Sequence, residues 1–149
     1  MTTEKITINF DMDGTIADFY VVENWLVYLT HENPYPYMVA RPMLRLSALA
    51  RMLNRLQVQG YQIAIISWLS KSGGEEFAQL VTEAKMRWLN KHLPSVHWDR
   101  ITIVPYGTPK QNYCESSADI LFDDEERNRI NWTGIAYTPD EILKILKEI

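Results

Sequence analysis

Cysteine is almost absent: the single Cys114 in 149 residues excludes an internal disulfide and fits a reducing compartment. No neighbour in the sequence offers to lower its thiol pKa, so a packed or half-buried thiol is expected rather than a nucleophile. Histidine is scarce too, and His31, His92 and His97 are scattered without the spacing a zinc site needs. No apolar run approaches the ~20 residues of a membrane span. The chain reaches its first strand near Ile6, which leaves no room for a signal peptide. Repeats and low-complexity segments are missing. Positive charge is in deficit, with a net charge of −4, which argues against a general nucleic-acid or acidic-membrane surface while allowing one local basic pocket. What is left is a cytoplasmic, single-domain protein, 46% hydrophobic and 23% charged and large enough to bury a core without staples.

What is present centres on Ile6-Thr-Ile-Asn-Phe-Asp11-Met-Asp13-Gly14-Thr15. Ile6, Ile8 and Phe10 alternate with Thr7 and Asn9, and the β-branched content predicts a strand. The strand stops at two acids around one residue, followed by glycine. An Asx-type turn favours these residues anyway. Two carboxylates at the end of a buried strand, however, repel each other and resist desolvation, so a fold normally keeps them with a cation or a catalytic task.

The remaining chain alternates helices with short apolar runs. A helix is expected from Phe19 to Leu29, with Val22, Trp25, Leu26 and Leu29 on its inner face. Asn33–Tyr37, with two prolines, is expected as a loop. Pro42 can open a second helix that carries Leu46, Leu49, Met52, Leu53 and Leu56 and ends near Gly60. Strands are expected at Tyr61–Ile66, Arg100–Val104, Ile120–Phe122 and Gly134–Tyr137, with helices at about Glu76–Leu93 and Pro139–Ile149. This alternation predicts a three-layer α/β/α Rossmann-like domain with a mostly parallel five-stranded sheet. Ligands of such sheets bind at the carboxyl ends of the strands. That edge collects Asp11, Asp13, Ser67, the Pro105–Lys110 loop and Asp123-Asp124.

Hard oxygen ligands from separate strands, with no His or Cys among them, suit Mg²⁺. The Ser67 hydroxyl and the ammonium of Lys110 or Lys85 can hold phosphate oxygens. A carboxylate facing a phosphoryl group can act as a nucleophile, and a second one two residues on can act as general acid and base. A response-regulator receiver also gathers acids and a lysine, but it expects its phosphorylated Asp after the middle strand, where this chain has Val104-Pro105.

The ordered set resembles the haloacid dehalogenase-type phosphatase superfamily: strand-D-x-D-G-[TV] at Asp11 to Thr15, a hydroxyl after a hydrophobic strand at Ser67, a lysine, and an acidic pair after a strand at Asp123-Asp124. Within it, the chain is most similar to the 5′(3′)-deoxyribonucleotidases. Asp11–Phe19 resembles their D-M-D-G-V-L-A-D-F opening, Glu83–Lys91 their E-K-x-x-W-[VL]-x-K helix, and Ser117–Asp124 their S-A-D-L-L-I-D-D segment. Thr15 stands for the usual Val and is expected to be harmless. Ser67-Trp68 replaces their Thr-Ser. The resemblance implies a core of residues 1–18 and 60–149 and a small helical cap insert at about 19–59, shorter than the cap of those nucleotidases.

The same resemblance implies that Asp11 is nucleophile and Mg²⁺ ligand, and that Asp13 is general acid/base and a further ligand through its carbonyl. It makes Asp124 the direct carboxylate ligand, with Asp123 one water away and Asn128 supporting that water. Ser67 and Lys110 hold phosphate oxygens. Lys110 is preferred to Lys85, which is expected to face solvent or to support the site from the helix start. Asp18 can cap a helix. Trp25, Tyr28, Tyr35 and Tyr37 either stack on a flat leaving group or pack the insert. The expected activity is Mg²⁺-dependent hydrolysis of a small phosphomonoester such as a (deoxy)nucleoside monophosphate, through an aspartyl-phosphate. The alternatives are a phosphorylated macromolecule or nucleic-acid end as substrate, and a non-catalytic phosphate- or partner-binding module.

Overall fold

The computed structural model describes residues 5–149. Five strands, β1 (Thr7–Phe10), β2 (Gln62–Trp68), β3 (Arg100–Val104), β4 (Ile120–Phe122) and β5 (Ile135–Tyr137), form one sheet in the order β3-β2-β1-β4-β5. Every pairing is parallel. The expected α/β Rossmann-like fold class is therefore the one found. β1 is central, so all four of its residues are buried, Thr7 and Asn9 included. Its polar positions face a covered layer rather than water, and Asn9 Nδ2 donates to the Ile120 carbonyl at 3.1 Å.

The helices are α1 (Trp25–Thr30), α2 (Tyr35–Val39), α3 (Leu46–Val58), α4 (Glu75–His92), α5 (Glu126–Asn131) and α6 (Ile142–Glu148). Ile8, Phe10, Ile63, Ile65, Ile120 and Phe122 pack on one face with Leu49, Leu53 and Leu56 of α3, Trp88 and Leu89 of α4, and Ile142 and Leu146 of α6. Ile66 and Leu121 on the other face meet Trp132, Tyr113, Cys114 and Ala136. Two connections step from β1 towards β3 and two step back towards β5. Right-handed crossovers put the two sets on opposite faces. Cys114 is half-buried and unpaired, as expected.

Three local expectations need correction. The helix at Phe19–Leu29 is broken: a 3₁₀ turn covers Phe19–Val21, and α1 begins only after Asn24, whose φ of 61° interrupts helical geometry. Leu26, expected inside, is 58% exposed. The supposed loop at Asn33–Tyr37 contains the start of α2, because Pro34 and Pro36 fall before and within its first turn, where no N–H is needed. Pro42 opens no helix; it pairs with Ala17 in an isolated bridge, and α3 starts at Leu46. Of residues 19–59, α3 thus belongs to the layer covering the sheet. The 3₁₀ turn, α1 and α2 form a second cluster around Phe19, Leu29 and Tyr37, packed on Phe77, Val81 and Ala84 of α4. The Trp88 indole N–H ties this part to the core by donating to the Ala40 carbonyl at 2.8 Å.

Candidate active site

The loop after β1 is wound tightly. The N–H groups of Thr15, Ile16 and Ala17 all donate to the Met12 carbonyl, and that of Gly14 donates to the Ala17 carbonyl. Gly14 has a φ of 79°, and a Cβ there would collide with Asp124 Oδ2, so both geometry and space require glycine. The turn leaves Asp11 buried and Asp13 partly open, both beside the carboxyl end of β4.

Both lysines weighed above enter this site, each on its own carboxylate. Lys110 Nζ donates to Asp11 Oδ1 at 2.9 Å and to Asp123 Oδ2 at 2.7 Å. Lys85 Nζ donates to Asp13 Oδ2 at 2.9 Å, Ser67 Oγ at 2.6 Å and the Trp68 carbonyl at 2.7 Å. Each lysine is 1% exposed, so of the two expectations for Lys85 the solvent-facing one is overturned, while a supporting contact to the site is present, made from the middle of α4 rather than its start. Position Lys85 lies on the inner face of α4 with Val81, Ala84, Trp88 and Leu89. Ser67 is buried inside β2 rather than beyond it. Its oxygen accepts from Lys85, which leaves its own hydroxyl proton available to donate.

The acidic pair is divided. Asp123 Oδ1 accepts from the Glu125 N–H at 2.9 Å, and Oδ2 accepts from Lys110 and from Asn128 Nδ2 at 3.1 Å. Asp124 opens outwards and faces Asp11. One oxygen from each of Asp11, Asp123 and Asp124 falls within 4.8 Å of the others, a spacing that a single cation can span. Four carboxylates, Asp11, Asp13, Asp123 and Asp124, stand against two lysines, so full ionisation leaves two uncompensated negative charges. A hard divalent cation fits that deficit and that donor set.

Charge crowding separates the titrations. Burial opposes ionisation of Asp11, but the Lys110 ammonium and a proton shared from Asp124 outweigh it, and Asp11 is held below its ordinary value. Burial and the Asp11 charge push Asp13 upwards despite Lys85. The same two causes raise Asp123 to about 6 and Asp124 to about 8 from 3.8. Between roughly pH 4 and 8 the folded, cation-free protein therefore binds more protons at this pair than the unfolded chain does. Its stability should fall as pH rises through that window. Asp11 acts oppositely: its contribution is complete above the unfolded value and is lost as pH falls through the lowered folded one. Thermal melts in EDTA across this range should show a declining Tm, and added Mg²⁺ should raise Tm most at the alkaline end. A flat or rising Tm would contradict this charge balance.

A cavity of about 300 Å³ opens above these groups. Its floor holds Asp11, Asp13, Lys110, Asp123, Asp124 and Asn128. Phe19, Tyr20, Trp25, Leu26, Leu29 and Tyr37 wall one side, and Trp68, Leu69 and Tyr106 wall the other. Of the four insert aromatics singled out in the sequence, Trp25 and Tyr37 line the cavity. Tyr28 and Tyr35 pack on one another with their rings tilted at 45° and centroids 5.0 Å apart. Trp68, the departure from the nucleotidase pattern, is fixed by its indole N–H on the Thr108 carbonyl at 2.8 Å and stands 5.4 Å from Lys110 Nζ. Contributors missed in the sequence include Tyr20, Leu69 and Tyr106, which line the cavity, and Thr15. Tyr106 carried no periodic or motif signal. Thr15 was read as a neutral exchange for Val, yet its hydroxyl bonds both Asp11 and Asp124.

No family model matches the chain, and no curated protein matches it. Solved structures do. The D,D-heptose 1,7-bisphosphate phosphatase of B. bronchiseptica, solved with magnesium and phosphate, superposes with a TM-score of 0.52 at 15% identity, over 88% of this chain and 78% of that one. The corresponding enzyme of Burkholderia thailandensis gives 0.49 at 18% identity, over 83% and 69%. The HAD domain of a Legionella pneumophila effector gives 0.45 at 12%, over 95% and 93%. The first of these likenesses shows a shared α/β fold.

Proposed function

We propose that this chain is a Mg²⁺-dependent phosphomonoesterase that works through an aspartyl-phosphate. The observation that carries the reading is the arrangement of two carboxyls separated by one residue beneath one cavity, each bonded to a buried lysine, with Asp11 on Lys110 held down and Asp13 on Lys85 pushed up. Titratable pairs driven apart in this way divide into base or nucleophile and acid. The fold shared with a phosphatase that binds magnesium and phosphate is consistent with it.

In this reading an Asp11 carboxylate oxygen attacks phosphorus, and the bond to the ester oxygen breaks as Asp13 delivers its proton there. Asp13, now ionised, takes a proton from water, whose oxygen attacks phosphorus and releases Asp11. Lys110 and the Ser67 hydroxyl offset charge on the phosphoryl oxygens, and Lys85 holds Asp13 in place. Asp11, the Asp13 carbonyl and Asp124 would hold Mg²⁺, which would supply positive charge against the phosphoryl group. Asp123 is pinned by Lys110, Asn128 and the Glu125 N–H, and it would support the cation site beside Asp124.

The cap is the 3₁₀ turn, α1 and α2. Together with Trp68 and Tyr106 its aromatics make a wall suited to a flat leaving group, which favours a nucleoside monophosphate. Phosphate release from ribo- and deoxyribonucleoside 5′- and 3′-monophosphates, sugar phosphates and a 3′-phosphorylated oligonucleotide, in Mg²⁺ and in EDTA, tests both levels. Metal-dependent release establishes the chemistry, and the preferred ester names the class. Mg²⁺ binding without release from any ester would favour a binding module.

A further inference from the structure

Thr15 is 1% exposed, and its side chain makes two hydrogen bonds of opposite sense. The Asp124 N–H donates to Thr15 Oγ1 at 3.1 Å. The hydroxyl has one proton, and a carboxylate can only accept, so Thr15 donates it to Asp11 Oδ2 at 2.9 Å. With Lys110 on Oδ1, both oxygens of Asp11 are tethered from different directions. The Asp11 N–H reaches the Phe122 carbonyl, and beyond that backbone contact the two loops are joined through side chains, by Thr15 directly and by Lys110 between Asp11 and Asp123.

We infer that Thr15 is a positioning residue for the proposed reaction: its hydroxyl fixes the rotation of the nucleophile Asp11 and holds Asp124 at the spacing a shared cation needs. The inference rests on the phosphatase reading for its rate consequence and on geometry alone for its effect on the cation. Valine has nearly the shape of threonine but can neither donate to Asp11 nor accept from Asp124. Serine keeps the hydroxyl and loses the methyl. Packing and positioning therefore rank the two variants in opposite orders.

The experiment compares Thr15→Val and Thr15→Ser with the wild type in three measurements: steady-state phosphate release at saturating Mg²⁺, calorimetric Mg²⁺ titration, and thermal melting to confirm folding at the assay temperature. Loss of a hydrogen bond to a charged group predicts a kcat lower by ~10–100-fold in Thr15→Val. KM should be little changed, Mg²⁺ affinity weaker, and both should return towards wild type in Thr15→Ser. A folded Thr15→Val with wild-type kcat and Mg²⁺ affinity would overturn the inference, as would a Thr15→Ser more impaired than Thr15→Val. Wild-type protein that binds Mg²⁺ but releases phosphate from no ester would sink the phosphatase reading alone, and the Mg²⁺ titrations would then decide the role of Thr15.

Discussion

Asp11→Asn is expected to lower turnover by roughly 10⁴–10⁶-fold, the range seen when a nucleophile or its partner is disabled in an enzyme that forms a covalent intermediate. The amide keeps the volume of the side chain but removes the negative charge that attacks phosphorus. Folding should survive, because two effects oppose each other. Lys110 loses one partner but retains Asp123 at 2.7 Å. The Asp11 charge that raises Asp123 and Asp124 also disappears. Phosphate release and a melt in the same buffer check both halves, and normal activity in this variant would end the nucleophile assignment. Asp13→Asn separates the roles further. It should be nearly inactive while still binding Mg²⁺ in calorimetry, since the proposed ligand from Asp13 is its backbone carbonyl.

Lys110→Met should cost stability and rate together. Two buried carboxylates, on Asp11 and Asp123, would lose the ammonium between them, and breaking a buried pair from one side typically costs ~3–5 kcal/mol. Loss of a preorganised charge aimed at the developing phosphoryl negative charge costs ~10²–10³ in rate. Mg²⁺ should recover part of the stability, because it replaces the missing positive charge near the same oxygens, but little of the rate. Melts with Mg²⁺ and with EDTA, beside saturating-substrate assays, separate these effects. The same measurements on Lys85→Met should show a smaller rate loss, since Lys85 touches Asp13 and Ser67 but not Asp11. The reverse ranking would make Lys85 the residue that carries the phosphoryl charge.

Strand ends were legible because their chemistry is local: apolar β-branched runs stop at Asp11, Val104 and Phe122, and the parallel-sheet rule places those stops on one edge. Asp11, Asp13, Lys110, Asp123, Asp124 and Asn128 line one cavity, whereas Ser67 is fully buried and does not line it. The insert was less legible. Its helices are short, and their ends are set by tertiary contacts such as Trp88 to Ala40 rather than by propensity. The sequence leaves Lys85 between solvent and a supporting place because a charged residue in a helix is normally solvated, and only the assembled site supplies acceptors for all three of its protons. Thr15 escaped for a similar reason. Its acceptor lies four residues away, but its donor lies 109 residues downstream.

That separation bears on how the chain acquires its structure. β1 pairs with β2 through Thr7–Phe10 and Gln62–Ile65, but its other edge is completed by Ile120–Phe122, and Thr7 binds the side chain of Asp119 across 112 positions. Contacts of such long sequence separation impose a large loop-closure cost and slow the search for the native state. During synthesis, the half-sheet of β1 and β2 would hold Asp11 and Asp13 before Lys110, Asp123 or Asp124 has emerged. Its open β1 edge is then a place where a second nascent chain can pair. The crowded carboxylates at the end of that edge disfavour parallel, in-register pairing with another copy, because like charges would then meet.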